Sequence, residues 1–477
     1  MKNTPVNAAA RIEVPHRAIP VCNMRLLQSG QGMGLILSFV LFIGFAALIR
    51  AGANPSPRLA VAWNEGSHRT GWVQAMDVIP PWNVSNDRIE VGADALLRYA
   101  AGALYVVRPS EDAILVINPD TWKVTRSYSL PAGTEPEDIA VSANGTAFVS
   151  GRRATRLIRL NLVSGTTQNV ADLGLFADPD GIPDLGGMAL HAGRLLVQVR
   201  RLNRDVPRGF VPPAYLAVID ADTGQLVDVD PFVSGVQAIP LAGTPPKRVM
   251  QLIPQARRLL ISATGDFFDE GGIEMIDLDS LRSLGLVVHE SQGFTGADTG
   301  PFVMVSPERG YLVYTTDLTS SSHINEFTLA AGPSPLAVFT AVGFLAPALV
   351  FDHTGNRMFF ANSDSSQPGV RVFDASTAAP LTTDPVPMGG PPSDLALLFE
   401  GPFSVQPASL SVGLHAGLQI TGTTGATYRI EFVNQLGATN WMALTNLTLP
   451  ASPHFWADPN SVTNQARRYY RAVAVPR

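Results

Sequence analysis

An all-β fold is what this 477-residue sequence predicts, and three observations carry it. The composition is 46% apolar and only 16% charged, with 42 Gly and 38 Pro to supply turns, a profile that excludes a disordered chain. Two strand-and-turn phrases recur along most of the length. Beyond them, about 75 residues alternate apolar and polar side chains in five or six short runs.

Residues 1–53 read as a segment outside the fold. The uncharged run 33-MGLILSFVLFIGFAALI-49 follows Lys2, Arg11, Arg17 and Arg25 and precedes Ala51 and Ala53 in an A-x-A arrangement, the pattern of a signal peptide. Its apolar run also reaches the short edge of a spanning helix, so an uncleaved anchor is the alternative, and a membrane partner is expected only then. The remainder is expected to be secreted, periplasmic or on the cell surface. It carries 29 basic and 39 acidic residues, a formal −10, which argues against a nucleic-acid partner. Cys22, the single cysteine, lies within the leader, leaving the exported part with neither disulfides nor thiolate chemistry.

The repeat follows. One phrase is an apolar strand, then Asp or Asn, then a polar turn: 114-ILVINPDTWKV-124, 157-LIRLNLVSGTT-167, 216-LAVIDADTGQL-226, 273-IEMIDLDSLRS-283 and 370-VRVFDASTAAP-380, with looser copies at 73–84 and 324–332. Markers at Asp77, Asn118, Asn161, Asp220, Asp277, Phe327 and Asp374 are spaced by 41, 43, 59, 57, 50 and 47 residues. The second phrase precedes most copies: 103-ALYVVR-108, 146-TAFVSG-151, 194-RLLVQV-199, 258-RLLISA-263, 310-GYLVYT-315 and 357-RMFFAN-362. Hairpin chemistry between strands is visible at Asn144-Gly145 and Gly355-Asn356. Each unit therefore predicts four antiparallel strands, the period of a propeller blade, and seven markers predict seven blades over residues 54–401. Residues 393–401 lack a following blade and residues 58–92 lack a first strand, so their pairing is expected to close the ring and leave no free edge.

The phrases 104-LYVVR-108, 218-VIDADTG-224 and 359-FFANS-363 resemble those of the YVTN-repeat propellers, related to the lactonase-like and quinoprotein-like seven-bladed families. The resemblance implies the fold more than any activity, because this scaffold hosts many chemistries. After the break at 401-GPFSVQPASL-410, residues 402–477 predict a small β-sandwich that resembles fibronectin-III-like modules of exported bacterial proteins. Tyr428, Trp441, Phe455 and Tyr470 are expected in its core or corners.

No nucleophile-elbow, P-loop, C-x-x-C or H-E-x-x-H motif is present, and the histidines show no ligand spacing, so no resident cofactor is expected. Four carboxylates, Asp138, Asp184, Asp298 and Asp394, recur just before the innermost strand of a unit, which suggests turn capping or a ring of charge at the channel mouth. Arg152-Arg153 and the long insertion bearing Arg200, Arg201 and Arg204 are candidate anion binders or ion-pair partners of those acids. The stretch 178-DPDGIPDLGGMAL-190 fails the EF-hand spacing, but Asp178, Asp180 and Asp184 with loop carbonyls are candidate ligands of a shorter calcium loop. The function expected is extracellular or periplasmic binding or scaffolding of a small molecule, glycan or protein. A lactonase-like hydrolase using the channel-mouth carboxylates, with or without calcium, is the alternative.

Overall fold

A computed structural model describes residues 58–475 apart from 66–69, 143, 204, 206–208, 254–255, 265–270, 293–296, 317–320, 343–346, 365, 400–408, 413–416, 436–439 and 459–467. The proposed leader, and Arg204, lie outside the described residues. The chain separates into Ser56–Ser404 and a unit that includes Val405–Arg477.

Within Ser56–Ser404 the described strands form seven antiparallel sheets, numbered 1 to 7 in chain order. Sheet 1 is made from both ends of the unit: Pro392–Leu397 pairs with Arg58–Asn64, which continues to Gly71–Asp77 and Val84–Glu90. Sheets 2 to 7 each begin with an inner strand: Leu96–Ala100, Pro136–Val141, Leu185–His191, Pro246–Ile253, Ala297–Met304 and Leu349–Asp352. Each of these, with Pro392–Leu397, touches the inner strands of its two neighbours, and the cycle closes on itself. The molecule is a β-propeller with a central channel.

Burial follows from that geometry. Side chains alternate across a strand, so a strand packed between two sheets feeds two cores and can be apolar at every position. In Ala103–Arg108, Leu104 and Val106 join the cluster shared with sheet 1, while Tyr105 and Val107 join the one shared with sheet 3. Phe359 and Ala361 face sheet 1, and Met358 and Phe360 face sheet 6. Seven such clusters, one per pair of neighbouring sheets, replace a single core.

The recurrent Asp or Asn of the sequence phrase closes the turn after the third strand. Asn118, Asn161, Asp220, Asp277 and Asp374 each accept backbone N–H bonds two or three residues on, as at Ser164 N→Asn161 Oδ1, 2.9 Å, and Thr223 N→Asp220 Oδ1, 2.8 Å. Those bonds favour the ionised form, so the Asp220, Asp277 and Asp374 carboxyls sit below their ordinary range.

The C-terminal residues form two three-stranded sheets, Ser409–Val412/Gly417–Thr421/His454–Ala457 and Met442–Thr448/Thr427–Val433/Tyr469–Ala474. Leu418 and Ile420 of one share an apolar cluster with Tyr428 and Ile430 of the other. Phe455, expected inside, is 62% exposed, because it falls on the outward phase of its strand. Among the described residues no helix is long and apolar enough to cross a membrane.

Candidate functional site

The inner strands bring charge to the channel through a shared local pattern. Three of them open Pro-x-charged: 136-PED-138, 246-PKR-248 and 392-PSD-394, each with a register shift there that turns the pleat. The shift in sheet 1 falls opposite Ala62 and Trp63.

Asp138 and Asp394 do the same work. Asp138 is fully buried; its Oδ1 accepts Ile139 N at 2.8 Å and its Oδ2 accepts Met188 N, from the inner strand of the next sheet, at 2.8 Å. Asp394 accepts Leu395 N at 3.0 Å and Leu97 N, again from the next sheet, at 2.8 Å. Each carboxylate also carries an arginine. Arg98 grips Asp138 with two bonds, 2.6 and 3.0 Å, and Arg248 donates to Asp394 at 2.6 Å. Arg248 belongs to sheet 5, so this last bond joins sheets that are not neighbours and spans the channel. Burial opposes the charge on Arg98, but Asp138, and then Asp394 and Glu137, outweigh it and raise its pKa.

A second cluster lies beside the first. Glu137, buried, pairs with Arg200 at 3.0 Å and with Arg152 at 2.9 Å. Burial alone would push its pKa up, yet Arg200 and Arg152 hold it below the ordinary glutamate range. Asp184, with a left-handed φ of 52°, sits just ahead of the inner strand of sheet 4. Burial pushes its pKa up to about 6; Arg200 opposes the shift, and Asp180 and Asp178 add to it. Its Oδ2, Asp178 Oδ2 and Arg200 Nη2 are buried without a hydrogen-bond partner.

The four recurrent aspartates are therefore not one set. Asp138 and Asp394 lie inside their strands as buried braces, because a carboxylate there accepts N–H groups on the channel-side edge of the inner strands, which have no ladder partner on that side. Asp184 precedes its strand. Asp298 lies near the start of the long inner strand of sheet 6 and, after burial, is the main influence on Lys247, whose amine burial lowers and Asp298 supports. The candidate arginines also divide: Arg200 is buried on Glu137, whereas Arg201 donates to Pro213 O at 3.0 Å and stacks over Tyr215.

The candidate calcium loop is not gathered as a cage. Asp178 Oδ1 accepts Asp180 N at 3.1 Å and Asp180 Oδ1 accepts Ile182 N at 2.7 Å, so both oxygens serve their own turn. Among the described residues no three His, Cys, Asp or Glu side chains stand in a metal-holding group.

Arg98, Arg248 and Asp394 line one side of a channel cavity of about 360 Å³. Its other walls come from the inner strands of sheets 5, 6 and 7 and are mostly apolar, including Val249, Pro301, Pro347 and Val350, with the Gln251 amide among them. Arg248 Nη1 is buried and makes no hydrogen bond. Sequence reading missed Arg98, Arg248 and Glu137. For Arg248 the Pro-x-charged phrase was the available signal; for Glu137, at the x position of 136-PED-138, and for Arg98, in 96-LLRYA-100, there was none.

Fold and site together define a propeller with a charged, part-apolar channel. No protein-family model and no curated protein matches the chain. Among solved structures, a protein from Lactobacillus plantarum is similar in fold, with a TM-score of 0.51 at 13% identity, covering 72% of this chain and 99% of that one. A proposed 6-phosphogluconolactonase from Bacteroides fragilis gives 0.48 at 11% identity, covering 72% and 99%. The dihydro-heme d1 dehydrogenase NirN gives 0.47 at 14%, covering 73% and 77%. At these identities the likeness concerns fold alone.

Proposed function

We propose that the chain is an exported propeller that works by binding or scaffolding, that its ligand enters the central channel, and that residues 402–477 act as a spacer or attachment module. One observation carries this reading: the channel holds a cavity of about 360 Å³, a volume suited to a small ligand, with a few polar side chains, Arg98, Arg248, Gln251 and Asp394, among mostly apolar walls. The carboxylates closest to it are engaged elsewhere. Asp138, Asp394 and Glu137 each answer an arginine, which suits a preformed binding wall better than proton transfer.

The test is a screen of small molecules for thermal stabilisation, run on the wild type and on Val350→Trp, which fills the cavity. Stabilisation lost in the variant supports the reading. Hits that stabilise both proteins equally would move the site out of the channel.

Asp184 favours the hydrolase alternative, since a carboxyl titrating at about 6 lies in the range useful to a general base near neutral pH. A calcium-dependent form would require Asp178 and Asp180 to turn away from their own loop N–H groups. Lactone hydrolysis abolished by Asp184→Asn would replace the binding reading with this one.

A further inference from the structure

The lysine and arginine side chains on the inner strands are Arg98, Lys247 and Arg248. Arg98 is tied to Asp138 and Arg248 to Asp394. Lys247 is the exception. Its backbone is fixed, the carbonyl accepting Gln198 Nε2 at 2.7 Å. Its amine makes no hydrogen bond or ion pair with a described residue and meets its neighbours through charge alone. The side chain is partly exposed, and the amine is not sealed from solvent as Arg248 Nη1 is.

Two carboxylates come near that amine without bonding to it. Asp298 belongs to the inner strand of sheet 6, and Glu290 directly follows the outer strand of sheet 5, Arg282–His289. Burial disfavours the ammonium form; Asp298 and then Glu290 oppose this, yet the amine stays below the ordinary lysine range. Glu290 also bears on Tyr314, in the second strand of sheet 6. Burial first, and then Glu290, holds that phenol above its ordinary value, so it remains a proton donor. A reachable amine, two carboxylates and a phenol thus gather between sheets 5 and 6.

This set favours one kind of ligand. A carboxylate or phosphate would meet Asp298 and Glu290 as like charges. A neutral carbonyl carbon meets no such opposition, and it is what an unprotonated lysine attacks. We propose that Lys247 captures a small neutral aldehyde as a reversible imine. The amine nitrogen adds to the carbonyl carbon, and one N–H proton passes by way of a carboxylate to the carbonyl oxygen. The resulting carbinolamine loses its hydroxyl with the second N–H proton as water while the C=N bond forms. No oxidant or reductant is needed. The capture is separate from the channel cavity, which Lys247 does not line.

The protein carries its own reference, because Lys123 is fully exposed to solvent and the remaining lysine, Lys2, lies in the leader. The full chain is incubated with propanal and sodium cyanoborohydride near neutral pH, and the trapped propyl-lysine is quantified peptide by peptide by mass spectrometry. Lys247 is expected to carry at least about threefold more label than Lys123, despite its lower exposure. That preference is expected to vanish above the ordinary lysine pKa, where Lys123 is also unprotonated, and in urea, where the surroundings of Lys247 are lost. A lysine serving only as a counter-charge to Asp298 and Glu290 would leave Lys123 the better labelled. A smaller ratio in the folded protein, or one that does not change with pH, overturns the assignment.

Discussion

Replacing Asp138 by alanine should destabilise the propeller by about 3 kcal/mol, and the structure supplies the terms. Asp138 is fully buried and serves three partners: Ile139 N, Met188 N and the Arg98 guanidinium. Met188 is itself buried, so its orphaned N–H contributes a penalty of about 1–3 kcal/mol. Arg98 is a third exposed, so water partly replaces its lost partner, and the ion pair adds only about 1 kcal/mol. With a urea slope of about 3 kcal/mol/M, the unfolding midpoint followed by tryptophan fluorescence falls by about 1 M. Adding Arg98→Met should recover part of the loss, because the cation no longer lacks an acceptor. A single-mutant shift below roughly 0.2 M would refute the view that Asp138 braces neighbouring sheets.

Two further outcomes follow from the same geometry. Because folding raises the Asp184 pKa from 3.8 to about 6, the folded state holds its proton more tightly, so the contribution is favourable at low pH and lost as pH rises through that window. Asp184→Asn, which tolerates the left-handed backbone, should therefore leave stability unchanged near pH 4 and raise it by about 1–3 kcal/mol at pH 7, read from thermal melts across pH; an equal effect at both would refute the shift. At Gly187 an added Cβ would lie 2.3 Å from Arg248 O, so Gly187→Ala should force the inner strands of sheets 4 and 5 apart. It is expected to lower stability by about 1–3 kcal/mol in chemical denaturation and to weaken any ligand that depends on Arg248; an unchanged midpoint would contradict so close an approach.

Much of the architecture was legible because it is local. The second-strand phrases at 103–108, 146–151, 194–199, 258–263 and 357–362 coincide with observed strands, since an apolar run bounded by turn residues has few other ways to fold. The Asp/Asn markers coincide with turns because their side chains bond to N–H groups two or three residues away. Asp184 also stood out in the sequence, although its perturbed carboxyl depends on burial beside Arg200.

What the sequence determined by itself, then, was the unit: four strands, the turn that ends the third, and the number of times the phrase returns. What only the tertiary structure decided was how charges from different units meet. Arg98 and Asp138 are 40 positions apart, and Arg248 and Asp394 are 146 apart. No periodicity relates such partners, because ring closure rather than chain proximity brings their strands to one channel. A carboxylate read as part of a repeated acidic rim thereby became a buried brace, and an arginine in an unremarked strand became a bond across the channel.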